Sequence, residues 1–217
     1  MSRPDRILVC FATEQEAKPF RRLARILGSV GILITGMGPE NAEASIRSAL
    51  GRESVKHVIS AGFAGGLDPK LPRGALVFET DDPEFACQIS SLGGQRVRFH
   101  TAPRVAVTAE EKRGLREATG ADAVEMESGA IRAVCRELTV PCTVARVISD
   151  PAGEDLPLDF NRLTKSDMRL SYLRLAGQLA AHPGRIARLR RFAAEVQSCA
   201  RHQATMLASL IVKLRVR

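Results

Sequence analysis

The chain has 217 residues, of which 45% are hydrophobic and 26% charged, and this size and composition fit one α/β domain with a sizeable core. No apolar run reaches the length of a membrane span, and the N-terminal hydrophobic segment is too short for a signal peptide, so we expect a cytoplasmic protein. Five widely spaced cysteines favour reduced thiols, and four scattered histidines give no metal site. The net charge of +8 lies almost wholly in residues 181–217, which argues against nucleic-acid binding by the main fold.

An apolar strand is predicted first, over residues 7–11, followed by an amphipathic helix. Thr13 and Glu16 have the spacing of a capping box at the start of this helix. The simplest interpretation of Glu16 is therefore a helix cap. The alternative is an acid at the carboxyl end of the first strand, facing a ligand crevice.

A glycine turn follows the second predicted strand, residues 31–35. Gly36 and Gly38 permit a tight turn that exposes backbone N–H groups before a helix beginning at Pro39, which suits an anion or a ribose. A dinucleotide fingerprint would need a third glycine where Asn41 stands, so a dinucleotide cofactor is rejected.

The middle of the chain contains a third predicted strand, residues 57–60, followed by the glycine-rich segment 61–67. Such a segment indicates either a close approach to a flat group or a turn packed on the sheet. Further strands are predicted at 75–78 and 105–107 and a helix at 109–118, with irregular loops over 79–103.

Residues 123–150 predict a strand, a helix and a second strand. If the two strands are parallel neighbours, Glu127 and Asp150 at their carboxyl ends face one crevice. Together with Glu16 they form a set of three acids that suits cleavage of a glycosidic bond, in which one acid protonates the leaving group and another activates water or stabilises the sugar.

Two helices are predicted after Asp150, over residues 167–181 and from Arg185 to about Val216, the second in one or two pieces. The favoured interpretation of the basic second helix is packing or oligomerisation. Basic amphipathic helices also attach to anionic lipid, so peripheral membrane contact is kept as an alternative.

Four motifs now show a family resemblance: ATEQEA around Glu16, SAGFAGGLDP from Ser60, VEMES from Val124 and VISDPA from Val147. In order and spacing the chain resembles the nucleoside phosphorylase family that includes methylthioadenosine/S-adenosylhomocysteine nucleosidase. The segment TAEEKRGLREATGADAVEMES and the basic extension are most similar to the hopanoid-associated phosphorylase branch.

The resemblance implies a single three-layer α/β/α domain with a mixed central sheet in residues 1–160, and a basic helical extension in residues 161–217 packed on it. It implies an enzyme that cleaves the N-glycosidic bond of a purine nucleoside-like substrate, an adenosine derivative, in hopanoid side-chain biosynthesis. Hydrolysis and phosphorolysis both stay open, so phosphate is an optional co-substrate and no other cofactor is expected. A homo-oligomer, dimeric or larger, is also implied.

The same resemblance gives expected roles to individual residues. Asp150 would protonate N7 of the leaving purine, Ser149 would orient Asp150, and Glu16 would position the attacking water. Glu127 would accept hydrogen bonds from the ribose 2′- and 3′-hydroxyls. The expected substrate-binding set is Glu127, Met126, Glu125, Phe63, Ala64 and Gly65.

Two departures from the family pattern leave an alternative. Phe63 stands where the nucleosidases have a small hydroxyl residue near the nucleophile, and Val107-Thr108-Ala109 replaces a longer segment that lines the base pocket. The alternative is a non-catalytic nucleoside-binding or membrane-associated protein with a degenerate nucleophile site.

Overall fold

The computed structural model describes residues 6–163 and 184–215. Its strands are β1 (Ile7–Phe11), β2 (Val30–Ile34), β3 (His57–Gly66), β4 (Leu76–Thr80), β5 (Gln95–Arg96), β6 (Phe99–Thr101), β7 (Ala123–Glu125) and β8 (Cys142–Asp150). Its helices are α1 (Glu14–Leu27), α2 (Pro39–Leu50), α3 (Pro83–Ser91), α4 (Ala109–Thr119), α5 (Ser128–Glu137), α6 (Phe160–Leu163) and α7 (Arg185–Arg215). The helix predicted over 167–181 lies outside the described residues.

The strands form one mixed sheet in the order β2-β1-β3-β8-β4-β5. The first four strands of this order are parallel, and β4 runs antiparallel to β8. At the carboxyl end of β3, β7 pairs with it in the antiparallel sense and β6 pairs parallel to β7. The predicted α/β fold with a mixed central sheet is confirmed.

Helices cover both faces of this sheet. Phe20 of α1, Ile89 of α3 and Leu207 of α7 belong to one hydrophobic core, and Ile46 of α2 and Ile131 of α5 belong to the other. Every residue of β1 is buried, because alternate side chains of a central parallel strand enter opposite cores. The fold is therefore a three-layer α/β/α arrangement.

Several predicted elements differ from the structure. β3 continues through the glycine segment to Gly66, because β8 on one side and β7 on the other supply it with hydrogen bonds. The expectation of irregular loops over 79–103 is wrong, since α3, β5 and β6 lie there. The strand expected at 105–107 is also wrong, because no strand occurs in that described segment.

The basic C-terminal helix is one continuous helix, α7, packed on α1, β8 and β3. Six of its apolar residues are buried in the core shared with α1: Cys199, Ala204, Met206, Leu207, Leu210 and Ile211. The half before Cys199 is more exposed, with Ile186 38% exposed. Among the described residues no helix has the length and apolar character that a bilayer crossing requires.

Candidate active site

Glu16 both caps α1 and faces the interior. One carboxylate oxygen accepts hydrogen bonds from the backbone N–H and hydroxyl of Thr13, completing the capping box. The other oxygen accepts from the backbone N–H of Phe63 at 3.3 Å. Burial raises the pKa of Glu16, although the nearby Arg146 guanidinium lowers it. The two interpretations of Glu16 are therefore compatible in one residue.

The glycine segment of β3 lies against Glu16 and Arg146. Gly62 has φ +141°, and a Cβ built there would lie 2.3 Å from Nη1 of Arg146 and 3.0 Å from Oε1 of Glu16. Only a glycine lets this strand pass so close to both side chains. The Phe63 side chain instead packs against the core shared by α1 and α7.

Glu125 is a buried structural acid. Its oxygens accept hydrogen bonds from the backbone N–H groups of Glu127 and Ser128 and from the hydroxyls of Ser128 and Thr101. Arg146 donates to it at 2.7 Å. Burial raises the pKa of Glu125, but Arg146 and these hydrogen bonds outweigh burial and hold it below its ordinary value. In this arrangement Glu125 caps the start of α5 and anchors Arg146.

Glu127, two residues later, has a different environment. It stands at the N-cap position of α5, yet its side chain makes no capping hydrogen bond. One oxygen accepts from the backbone N–H of Gly38 at 3.0 Å, and the other lies 3.6 Å from Nη2 of Arg146. Burial, opposed by Arg146 and reinforced by Glu125, raises the pKa of Glu127 to about 7.

Asp150 and Ser149 end β8 at an irregularity in its pairing with β3. Ala64 pairs with Ile148 and Gly65 with Asp150, so Ser149 is an extra residue in β8. Such a β-bulge re-aims the side chains at a strand end, a frequent arrangement beside active sites. The Ser149 hydroxyl donates to Oδ1 of Asp150. Burial raises the pKa of Asp150, against the effect of Lys112.

The strands that carry Glu127 and Asp150 are not the parallel neighbours that the sequence suggested. β7 pairs with β3 in the antiparallel sense, and β8 pairs with β3 on its other edge. Gly65 is the point of contact, because its Cα pairs with both Val124 and Asp150. The prediction of adjacent parallel strands is wrong, and the segments after Glu125 and at Asp150 approach each other across β3.

Two members of the expected substrate-binding set lie beside these acids. Met126 is buried, at 7% exposure, between Glu125 and Glu127. Ala64 is buried in the sheet, and its carbonyl accepts a hydrogen bond from the Ser149 hydroxyl at 3.4 Å. Both therefore border the carboxylates whose roles are proposed below.

With this geometry in place, the chain can be compared with known proteins. Residues 10–105 and 92–175 match the family model described as the phosphorylase superfamily, which is well over half of the chain. The chain belongs to the phosphorylase superfamily. This confirms the family recognised from the four motifs, whereas the assignment to its hopanoid-associated branch stays a prediction.

Curated relatives of this superfamily member are nucleosidases. The aminodeoxyfutalosine nucleosidase of Campylobacter jejuni is 24% identical, over 62% of this chain and 73% of the relative. The 5′-methylthioadenosine/S-adenosylhomocysteine nucleosidase of Anoxybacillus flavithermus is 28% identical, over 67% and 78% respectively.

Solved structures show the same fold. The futalosine hydrolase of Helicobacter pylori has a TM-score of 0.70 at 16% identity and covers 96% of this chain and 98% of its own. The 5′-methylthioadenosine/S-adenosylhomocysteine nucleosidase of Neisseria meningitidis, in complex with methylthio-immucillin-A, has a TM-score of 0.71 at 18% identity, with coverage of 97% and 100%.

The sequence did not lead us to two buried cations beside these acids, Arg146 and Lys112. Arg146 is 1% exposed, and besides Glu125 it donates to the Ala61 carbonyl and the Ser60 hydroxyl. A charge inside an apolar strand was an available signal, because an unpaired buried arginine is strongly disfavoured. Lys112, fully buried and 2.6 Å from Oδ2 of Asp150, gave no such signal within the polar sequence of α4.

Proposed function

We propose that this enzyme cleaves the N-glycosidic bond of a purine nucleoside, an adenosine derivative, with water as the nucleophile. The observation that carries the proposal is the set of three buried acids around β3, each with a different environment. Glu16 contacts β3 at Gly62 and Phe63, and Asp150 contacts it at Gly65. Three residues of strand span roughly 10 Å, a separation suited to a ligand with a sugar and a base.

Asp150 is proposed to protonate the leaving base. A buried carboxyl with a raised pKa is suited to donate a proton near neutral pH. The Ser149 hydroxyl, which donates to Oδ1, fixes the orientation of the carboxyl. Protonating the purine as it departs lowers the barrier, because the base then leaves without negative charge.

Glu127 is proposed to hold the sugar. The carboxylate oxygen that accepts the hydrogen bond from the Gly38 backbone N–H is fixed. The other oxygen lies at the longer distance of 3.6 Å from Arg146. A carboxylate with acceptor capacity left over can take hydrogen bonds from vicinal hydroxyls. Its negative charge would also stabilise the positive charge that develops on the ribose. Met126 beside it would supply apolar contact with the sugar.

Glu16 is proposed to act as the general base on water. Its raised pKa brings it nearer to the operating pH, as a general base requires. Phosphate is less suited than water as the nucleophile beside Glu16, because Arg146 already pairs with Glu125 and lies near Glu127. Of the other arginines that could bind phosphate, Arg21, Arg73 and Arg104 likewise pair with protein carboxylates, and Arg22 is exposed on α1. The site therefore offers a phosphate dianion more negative charge than positive.

Further parts of the proposal rest on the sequence. The segment from Thr108 to Ser128 and the basic extension support a role on the substrate of hopanoid side-chain formation. An oligomer that completes the pocket is proposed from the family resemblance. Membrane contact is proposed for the half of α7 before Cys199, because most apolar residues between Cys199 and Ile211 are occupied by the core.

The test is base release from adenosine, methylthioadenosine, adenosylhomocysteine, inosine and an adenosine with an apolar 5′ substituent, with and without phosphate, in water enriched in ¹⁸O. The proposal predicts a free sugar labelled at C1 and no dependence on phosphate. Asp150→Asn should abolish release, whereas Asp81→Asn, at an exposed position, should not. A sugar 1-phosphate formed only with phosphate would establish phosphorolysis instead.

The rival proposal is a nucleoside-binding protein that does not catalyse a reaction. Phe63 supports it, because this residue stands where the nucleosidases have a small hydroxyl residue. In the structure the Phe63 side chain turns to the α1 and α7 core, while its backbone N–H contacts Glu16. The rival requires that no nucleoside releases base while at least one binds in an equilibrium titration.

A further inference from the structure

Lys112 forms an unusual ion pair with the proposed acid. It is fully buried, and its ammonium nitrogen lies 2.6 Å from Oδ2 of Asp150, 2.9 Å from the Pro151 carbonyl and 2.8 Å from the Glu154 carbonyl. An ammonium group has three donors and no acceptor, so these three partners use all of them. The Asp150 carboxyl therefore shares one proton with Lys112, and Asp150 is an anion while that proton lies on Nζ.

An anionic Asp150 cannot protonate a leaving base by itself. The nearest proton is the one on Lys112 that points at Oδ2. Burial raises the pKa of Asp150, so the state with the proton on its carboxyl is brought closer in energy to the ammonium beside a carboxylate. The two states contain the same number of protons and carry the same net charge.

We propose that Lys112 is a positioning residue that supplies Asp150 with the proton for the leaving base. The N–H bond of Lys112 breaks, its electron pair stays on Nζ, and an O–H bond forms on Asp150. Asp150 then gives a proton to the purine as the glycosidic bond breaks and its electron pair goes to the base. Water adds to the sugar and its proton goes to Glu16. Release of that proton and reprotonation of Lys112 from solvent close the cycle.

The hydrogen bonds around Lys112 allow this transfer without rearrangement. A neutral amine keeps two N–H donors for the Pro151 and Glu154 carbonyls, and its lone pair can accept from the new O–H of Asp150. Both carbonyls belong to the loop after β8, and Val107 and Ala109 also hold this loop through Leu156 and Asp155. Gly65 leaves room for the pair, since a Cβ there would lie 3.2 Å from Oδ2 of Asp150 and 3.8 Å from Cε of Lys112.

Other charged groups near the pair are already paired. Arg73, whose charge lowers the pKa of Asp150, binds Glu154 and Glu195 and donates to the Ser149 carbonyl. One turn after Lys112 in α4, Arg116 lies 3.0 Å from Asp68 and 3.7 Å from Asp122. Among these described groups, Lys112 is the cation in direct contact with the Asp150 carboxyl.

The inference rests on the proposed function, and its test is the pH dependence of base release in three proteins. Wild type should lose activity at the alkaline end of the profile only when the Lys112–Asp150 pair gives up its shared proton. In Lys112→Met the alkaline limb of the pH profile should move to lower pH, by at least a tenfold change in proton concentration. KM should change little. Lys112→Arg keeps the charge but cannot give up a proton, so its kcat should also fall at least tenfold. Lys70→Met, at an exposed position, is the matched control.

If a variant fails to fold, a measurement on the wild-type protein still tests the role of Lys112. Deprotonation of an ammonium group absorbs heat and that of a carboxyl hardly does, so the alkaline limb of wild type should move to lower pH on warming. A limb that does not move, an unchanged profile in Lys112→Met, or full kcat in Lys112→Arg would each overturn the role of Lys112 while leaving nucleoside cleavage established. Absence of base release in wild type would overturn the proposed function itself.

Discussion

The backbone N–H of Gly38 donates a hydrogen bond to Oε1 of Glu127 at 3.0 Å. Gly38 is the N-cap of α2, with φ +86°, so the anion bound at this helix N-terminus is one of the protein's own carboxylates. The sequence suggested an anion or ribose loop here, and the structure shows the loop serving the proposed sugar-binding residue. One oxygen of Glu127 is thereby fixed in direction.

The first prediction concerns Glu127. Glu127→Gln should lower kcat/KM for nucleosides about 10- to 100-fold, because hydrogen bonds to a charged acceptor contribute about 1.5–3 kcal/mol. The pKa of about 7 adds a pH signature, since the ionised form is the one that accepts from the sugar hydroxyls. Wild-type kcat/KM should therefore rise as the pH increases through 7, and the variant should lose this rise.

Steady-state kinetics from pH 5 to 9 checks this, with Glu40→Gln as control, because Glu40 is an exposed acid in the first turn of α2. The control should reproduce the wild-type profile. An unaltered rise near pH 7 in Glu127→Gln would assign that ionisation to another group.

The second prediction concerns Gly62. Gly62→Ala should destabilise the fold by at least about 2 kcal/mol, because φ of +141° strains any side chain and the new Cβ would meet Arg146 at 2.3 Å. Arg146 cannot retreat easily, since it is buried and bonded to Glu125. Loss of base release should accompany the loss of stability.

Urea unfolding measures the free energy, with Gly114→Ala as the matched control. Gly114 lies inside α4 with open space at its Cβ position, so alanine there should stabilise by about 0.5–1 kcal/mol. Equal stability of Gly62→Ala and wild type would show that β3 can shift away from Arg146.

The third prediction concerns His57, which the proposed chemistry does not use. Its ring stacks on Phe85 with centroids 3.6 Å apart, and Nε2 lies 2.8 Å from the Thr143 hydroxyl. Burial lowers the pKa of His57 to about 4. The unfolded chain then binds a proton that the folded chain does not, so the contribution of His57 to the free energy of unfolding should fall by about 3 kcal/mol as pH decreases from 6.5 to 4, against the opposite contribution of Glu127, whose pKa is raised.

Urea titrations at several pH values measure this slope. His57→Gln should remove most of it, whereas His202→Gln, on the exposed side of α7, should keep it. An identical pH dependence of the free energy of unfolding in wild type and His57→Gln would place the titrating group elsewhere.

The parts of the fold that the sequence predicted are those governed by local signals. The β1 run, the Thr13 capping box and the helix within residues 123–150 each depend on residues close in the chain, and all three occur as expected. β7 pairs with β3 and not with β8, and this choice of partner depends on contacts between residues that are distant in the sequence. No local pattern distinguishes these two partners, so that expectation failed.

The same distinction separates the two acids of the VEMES motif. In the structure Glu125 accepts the hydrogen bonds of the first backbone N–H groups of α5, while Glu127 reaches Gly38. Both acids are buried, and Arg146, 21 residues beyond Glu125, lies 2.7 Å from Glu125 and 3.6 Å from Glu127. Burial of Lys112 likewise depends on the loop after β8, which a helix sequence rich in charge does not reveal.

The last prediction concerns α7 and asks whether the basic extension is part of the fold. Leu207 is fully buried among residues of α1 and the sheet, so Leu207→Ala should destabilise the protein by about 2–5 kcal/mol. Ile186 on the same helix is 38% exposed, so Ile186→Ala should change the free energy of unfolding by less than about 1 kcal/mol. The two variants remove apolar atoms from one helix and differ in the burial of the site, and urea unfolding compares them directly. A small effect of Leu207→Ala would mean that α7 is not needed by the core, and detachment to a lipid surface would then become the better interpretation of its basic face.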